Sequence, residues 1–184
     1  MPTVNSTKHQ RLPSARVECL RRSAYGRGVR FPEGMNYEDL ALIPRMIGSC
    51  AKVAFAETKT YFYRLNPSSI ISTAFPDDYK QWYPALDMTQ NYIDENHPNL
   101  RKAIRVCYIT RLIFLAYDVS PVKNKYPEAV KDILSRLHAK DLPGYVTSPE
   151  KWRYKITLAF LLLMPNLTLG LLGGLKRLRM RLRF

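Results

Sequence analysis

The sequence predicts a mainly α-helical protein with a small β element, and three features of the chain support this prediction. Apolar residues recur every three or four positions from Tyr37 onwards, which is the spacing of a helix with one buried face. Residues 51–64 are rich in β-branched and aromatic side chains, which favour strands. Prolines separate four further helical patterns, at 77–96, 99–117, 126–139 and 149–164.

The first predicted helix begins in the stretch RFPEGMNYEDLALI, residues 30–43, just after a turn that contains Pro and Gly. Asn36 is of a residue type that caps helices, and Pro44 is expected to kink this helix or mark its middle. Its apolar face consists of Leu40, Ile43, Met46 and Ile47.

The predicted β element follows in AKVAFAETKTYFYR, residues 51–64. A polar break at Glu57 and Thr58 divides this stretch, so we expect two short strands, and LNPSSI after them is typical of a turn or loop. Strands this few have exposed edges, which helices or a partner must cover.

The last apolar segment, ITLAFLLLMPNLTLGLLGGL at 156–175, carries no charge and precedes the basic stretch KRLRMRLRF. A membrane span needs about 20 apolar residues, so the length is just sufficient, but Pro165 and three glycines interrupt it. Lysines and arginines surround a helical stripe of leucines, which is typical of a helix lying on an anionic membrane surface. A true span and an ordinary core helix with a solvated tail are the alternatives. The stripe consists of Leu171, Leu175, Leu178 and Leu182.

The net charge of +14 is concentrated at the two ends of the chain. Residues 1–30 contain seven Lys or Arg side chains and one Glu, and residues 176–184 contain five and no acidic residue. Nucleic-acid modules usually spread such charge over one folded face with base-reading side chains between, and no such motif is present, so nucleic acid is an unlikely partner. The odd count of three cysteines, without metal-ligand spacing, favours the cytoplasmic side.

An ordered series of short motifs occupies Leu20 to Thr73: RRS at 21–23, RFPEG at 30–34, YED at 37–39, AKV at 51–53 and YFYR at 61–64. This series resembles the acceptor-side end of the catalytic domain in family 2 glycosyltransferases, especially those of bacterial cell-surface polysaccharide synthesis. The resemblance covers about three tenths of the chain. It implies part of a GT-A (α/β) domain, and an inverting transfer of a hexosyl group from a nucleotide sugar to a saccharide or lipid-linked acceptor.

The resemblance also implies roles for four residues. The second acid of the family's ED pair is the base that deprotonates the acceptor hydroxyl, so this role falls on Asp39, with Glu38 as an acceptor contact. Arg64 and Ser69 match the Arg and Ser of the family's substrate-binding segment, where Arg contacts the donor diphosphate. Without the surrounding motifs, a Glu-Asp pair more often has no catalytic role and only stabilises the start of a helix, because the helix dipole favours negative charge there. The alternative for Arg64 is a strand-end side chain that reaches solvent.

A complete enzyme of this family also needs a donor half with a DXD-like motif that holds Mg²⁺ or Mn²⁺ on the diphosphate. No Asp occurs before the matched stretch, so we expect this chain to bind no metal itself and to be a truncated or partial form that is inactive alone. The predicted segments are a loose lead-in at 1–18, the acceptor-side remnant at 19–75, a helical region at 76–164 and a basic amphipathic tail at 165–184.

Three interpretations of function therefore stand at this level. The first is a partial glycosyltransferase that acts once a donor half is supplied, peripheral at the inner face of the cell membrane and bound to anionic lipid through residues 156–184. The second is a truncated remnant without catalysis of its own that still associates with a membrane or binds the acceptor. The third is a non-catalytic basic module that binds a membrane surface or nucleic acid, in which the Glu38–Asp39 helix is merely structural.

Overall fold

The computed structural model describes residues 30–35, 37–50, 75 and 79–181. The predicted mainly α-helical class is confirmed, because 81% of these residues are helical. They contain no strand, and the two strands expected within 51–64 lie outside the described residues, so the small β element is not supported. The structure divides into two compact units, and among the described residues the second unit contains 75, 79 and 93–181. Our sequence-based segments remain predictions.

The first unit contains, among the described residues, 30–35, 37–50 and 80–92. Helix α1 (Glu38–Gly48) and the first part of helix α2 (Trp82–Asn96) supply its apolar interior. The predicted apolar face of α1 is largely confirmed, although Ile47 is exposed. The buried side chains are Leu40, Ala41, Leu42, Ile43 and Met46 on α1, and Trp82, Tyr83, Ala85, Leu86 and Thr89 on α2.

The second unit is built around helix α3 (Arg101–Val119), which packs against four other helices. These are α4 (Pro127–Ser135), α5 (Leu142–Val146), α6 (Trp152–Leu163) and α7 (Pro165–Arg181). Single 3₁₀ turns precede or follow several of them, at Pro98–Leu100, Ser120–Val122 and Ala139–Asp141, and a further 3₁₀ turn at Tyr79–Gln81 precedes α2. The predicted helical segments therefore hold to within a few residues, except that 126–139 ends as a helix at Ser135.

The apolar run 156–175 is not one helix but the end of α6 and the start of α7. Met164 leaves helical geometry, with φ −138° and ψ 65°, and Pro165 opens α7 at a position where its missing N–H costs nothing. Among the residues that the structure describes, no helix combines the length and the apolar content that crossing a bilayer requires.

Gly173 is the point of closest approach between α7 and the Ser120–Val122 turn. A Cβ atom placed on Gly173 would lie 2.7 Å from the carbonyl oxygen of Ser120 and 3.3 Å from the nitrogen of Pro121. Since the obstructing atoms belong to the backbone, the absence of a side chain is what permits the contact. Three residues further on, Lys176 Nζ donates a hydrogen bond of 2.9 Å to Asp118 Oδ1. Together the two contacts fix the face that α7 turns towards the core.

We expect Gly173→Ala to lower the free energy of unfolding by about 1–3 kcal/mol, because the new methyl group overlaps the backbone of the turn. Gly174→Ala is the matched control, since a Cβ there would meet nothing within 4 Å. That substitution should stabilise the protein by about 0.5–1 kcal/mol, the ordinary gain of Ala over Gly in a helix. Urea denaturation followed by circular dichroism measures both, and equal effects would contradict the close approach.

Candidate functional site

Tyr37 caps the start of helix α1, and its backbone has left-handed geometry, with φ 64° and ψ 33°. This conformation is rare for a bulky side chain and costs roughly 1–2 kcal/mol. Its carbonyl accepts hydrogen bonds from the N–H groups of Leu40 and Ala41, at 3.1 and 3.4 Å. Its ring lies 4.6 Å from the ring of Trp82, a packing that helps to offset the backbone cost. The start of α1 is therefore fixed by its backbone and by an aromatic contact, and Asn36, the expected cap, lies outside the described residues.

The structure places Glu38 and Asp39 together in the first turn of α1, as the sequence predicts. Asp39 Oδ1 accepts the N–H of Leu40 at 2.8 Å, a donor that it shares with the Tyr37 carbonyl at 3.1 Å. Within the described part of the chain, Asp39 Oδ2 has no hydrogen-bond partner. Asp39 is half-buried and Glu38 is exposed. Asp39 is thus held through one oxygen while the residue stays half exposed, and a group that accepts a proton from an external hydroxyl must be both oriented and accessible.

Helix α1 passes through Pro44, where the sequence predicts a kink. Proline has no N–H, so the carbonyl of Leu40, four residues earlier, loses its normal helical donor. The hydroxyl of Thr89, on α2, donates to that carbonyl at 2.8 Å. Thr89 is only 2% exposed, so this bond is made away from water. The side chain from α2 therefore replaces the donor that Pro44 removes and ties α1, with Asp39 on it, to α2.

Arg64 and Ser69 lie outside the described residues, so their approach to Asp39 stays a prediction. The metal that the family resemblance implies finds no site within the ranges described, where no group of three or more His, Cys, Asp or Glu side chains is placed to hold one. The residues that the structure describes therefore do not fit that metal.

A second candidate surface runs along α6 and α7. Eight exposed apolar side chains recur there every three or four positions, and we call them the apolar row. Trp152 and Leu163, for example, are 73% and 77% exposed. An exposed apolar surface this extended usually marks an interaction site. The apolar row consists of Trp152, Ile156, Phe160 and Leu163 on α6, and Leu167, Leu171, Leu175 and Leu178 on α7.

The basic residues of α7 divide between two roles. Lys176, which the sequence groups with the membrane-facing charges, instead pairs with Asp118 and is 17% exposed. Arg177, Arg179 and Arg181 are exposed. With about 3.6 residues per turn, Arg177 and Arg181 fall on one side of the apolar row and Arg179 on the other.

The predicted leucine stripe is confirmed as exposed at its three described positions, Leu171, Leu175 and Leu178. The sequence analysis did not predict that exposed apolar residues also recur on α6. The four-residue spacing of Trp152, Ile156 and Phe160 is the signal that could have indicated it.

No protein-family model, curated protein or solved structure matches this chain. The family resemblance therefore depends on the short motifs alone.

We expect Thr89→Val to lower the free energy of unfolding by about 1–3 kcal/mol, since it leaves the buried Leu40 carbonyl without a donor. Thr89→Ser keeps the hydroxyl and should cost less. In a Pro44→Ala background the restored N–H at position 44 can serve the same carbonyl, so the cost of Thr89→Val should shrink. Urea denaturation of the four combinations measures this coupling. An equal cost in both backgrounds would contradict the replacement.

Proposed function

We propose that this chain is the acceptor-side part of a family 2-type inverting glycosyltransferase, which acts when a donor half is supplied by another polypeptide or by sequence upstream. The observation that carries the proposal is the ordered motif series, with its acid pair on the first turn of a tethered helix and Asp39 half open to solvent. A general base must be oriented and accessible, and Asp39 is held by the N–H of Leu40 while it stays half exposed.

In the proposed reaction the acceptor hydroxyl loses its proton to Asp39 as its oxygen attacks the anomeric carbon. A bond from that oxygen to the carbon forms, while the bond from the carbon to the nucleotide diphosphate breaks on the opposite face. The N–H of Leu40 fixes Oδ1 at 2.8 Å and leaves Oδ2 as the proton-accepting atom. Glu38, one position earlier, contacts the acceptor, and Arg64 and Ser69 take the donor-side roles that the resemblance gives them.

We expect Asp39→Asn to lower transfer by about 10²–10⁴-fold, the usual contribution of a general base. The assay joins this chain to the donor half of a complete family 2 enzyme and measures nucleotide release that depends on acceptor, with the chain alone as the negative control. Glu38→Gln should mainly raise KM for the acceptor. Glu95→Gln, an exposed acid elsewhere on α2, should change nothing. Unchanged turnover in a folded Asp39→Asn protein would refute the assignment.

A second candidate function is a non-catalytic module that binds an anionic membrane surface. The apolar row, with arginines on both of its sides, is the observation that favours it, because apolar side chains enter the lipid interface while cations meet its phosphates. Under the first candidate the same surface would hold the enzyme at the inner face of the cell membrane. Lipid binding by the apolar row is therefore compatible with the first candidate and required by the second.

We expect the chain to float with vesicles that contain phosphatidylglycerol. The double variant Leu171→Gln/Leu175→Gln should bind these vesicles at least about ten-fold more weakly, since two leucines no longer enter the lipid. Leu100→Gln with Val146→Gln is the matched control, because both residues are exposed and lie outside the apolar row. Equal loss in the two double variants would contradict the assignment. So would salt-dependent binding to duplex DNA that exceeds binding to the vesicles.

A further inference from the structure

The second unit contains an open cleft of about 150 Å³ between α3, the Ala139–Asp141 turn and α5. Three cationic side chains line it, Lys102, Arg105 and Lys140, against one carboxylate, Asp141. The cleft therefore carries an excess of two positive charges. Neither the motif series nor the apolar row includes any of these residues.

Arg105 is held in place before any ligand arrives. Its Nε donates to Asp141 Oδ1 at 3.0 Å and its Nη2 donates to Asp141 Oδ2, a two-point pairing. Nη2 also lies 3.4 Å from the carbonyl of Arg136, and the guanidinium carbon lies 5.0 Å from the centre of the Tyr108 ring. Hydrogen bonding to Arg105 holds the pKa of Asp141 below its ordinary value, so the carboxylate stays charged near neutrality. Within the described residues, both N–H groups of Nη1 lack a partner, and a fixed guanidinium edge of this kind suits a tetrahedral oxyanion.

The two lysines at this cleft have few competing contacts. Lys102 makes one long hydrogen bond, 3.4 Å to the hydroxyl of Thr147, and its Cε lies 3.6 Å from where a Cβ on Gly144 would stand. Lys140 is exposed and makes no hydrogen bond to the described residues. Both ammonium groups are therefore available as mobile charges around the fixed guanidinium.

The inner wall of the cleft is rigid and apolar. Tyr145 is 0% exposed, and its hydroxyl lies 2.8 Å from that of Thr110 on α3. Burial raises the pKa of Tyr145 to about 12, so the phenol stays neutral. Ile109, beside it, is 1% exposed. A low-dielectric wall strengthens the attraction between the cations and a bound anion.

We propose that this cleft binds a phosphate monoester, whose charge of about −1.5 to −2 at pH 7 complements the excess of two positive charges. Arg105 Nη1 donates to the phosphate oxygens, and Lys102 and Lys140 close over it. The monoester is either a soluble phosphate compound or a lipid headgroup, since both present the same group. The site is independent of the proposed glycosyl transfer.

Titration calorimetry with inorganic phosphate at constant ionic strength tests the site on the full chain. We expect Lys102→Gln with Lys140→Gln to weaken phosphate binding by at least about ten-fold, because two charge-assisted hydrogen bonds are lost. Lys131→Gln with Lys151→Gln removes the same charge from exposed positions outside the cleft and should leave the affinity within about two-fold. Circular dichroism confirms that each variant is folded.

A vesicle arm separates the two sources of the monoester. Phosphatidic acid presents a phosphate monoester and phosphatidylglycerol a diester, so vesicles of each in phosphatidylcholine are compared at equal surface charge. A preference for phosphatidic acid that the cleft variant loses assigns the lipid source, and phosphate binding without that preference assigns the soluble one. Equal losses in the two double variants, or neither phosphate binding nor a preference for phosphatidic acid, would overturn the proposal.

Discussion

The close approach of Gly173 to the backbone of Ser120 is the constraint on which the proposed membrane surface depends. A helix can turn any face towards its neighbours, and this contact is possible only where a residue has no Cβ. With Gly173 inward, Lys176 reaches Asp118 and Leu169 enters the core at 1% exposure. The leucines of the apolar row are then left on the outside. Their exposure is thus a consequence of how α7 docks.

In the first unit, a side-chain hydrogen bond takes the place of a backbone hydrogen bond that a proline removes. Pro44 takes a donor away from the interior of α1, and the hydroxyl of Thr89 supplies one from α2. The helix can therefore continue through a proline without leaving a buried carbonyl unpaired, a condition that folded proteins rarely tolerate. The same hydrogen bond holds in place the helix that carries Asp39. The position of each candidate functional surface is therefore set by close contacts of the helix that carries it.

The longer helices were predictable because the apolar residues of each recur at the helical period within its own sequence, and the acid pair of α1 was placed correctly in its first turn. The short helix α5 was not predicted, since Pro143 and Gly144 indicated a break between helices. Contacts between distant residues were not predictable. Thr89 is 49 residues from its partner Leu40, and no local pattern marks it as the donor for a proline-interrupted helix. The partner of Lys176 was not predictable either. Its place in a basic run suggested contact with lipid, whereas its ammonium group pairs with Asp118, 58 residues away.

The proposed membrane contact places the apolar row in a lipid surface, and a tryptophan of the chain can report whether this happens. Of its two tryptophans, Trp152 lies in the row at 73% exposure and Trp82 is buried at 7%. In a Trp82→Phe variant, Trp152 alone emits, and Trp152→Phe gives the reciprocal control. With anionic vesicles the Trp152 emission should move to shorter wavelength and be quenched by brominated lipid. Emission that stays at the wavelength of a water-exposed tryptophan, unquenched by those vesicles, would contradict the placement of this chain at a membrane.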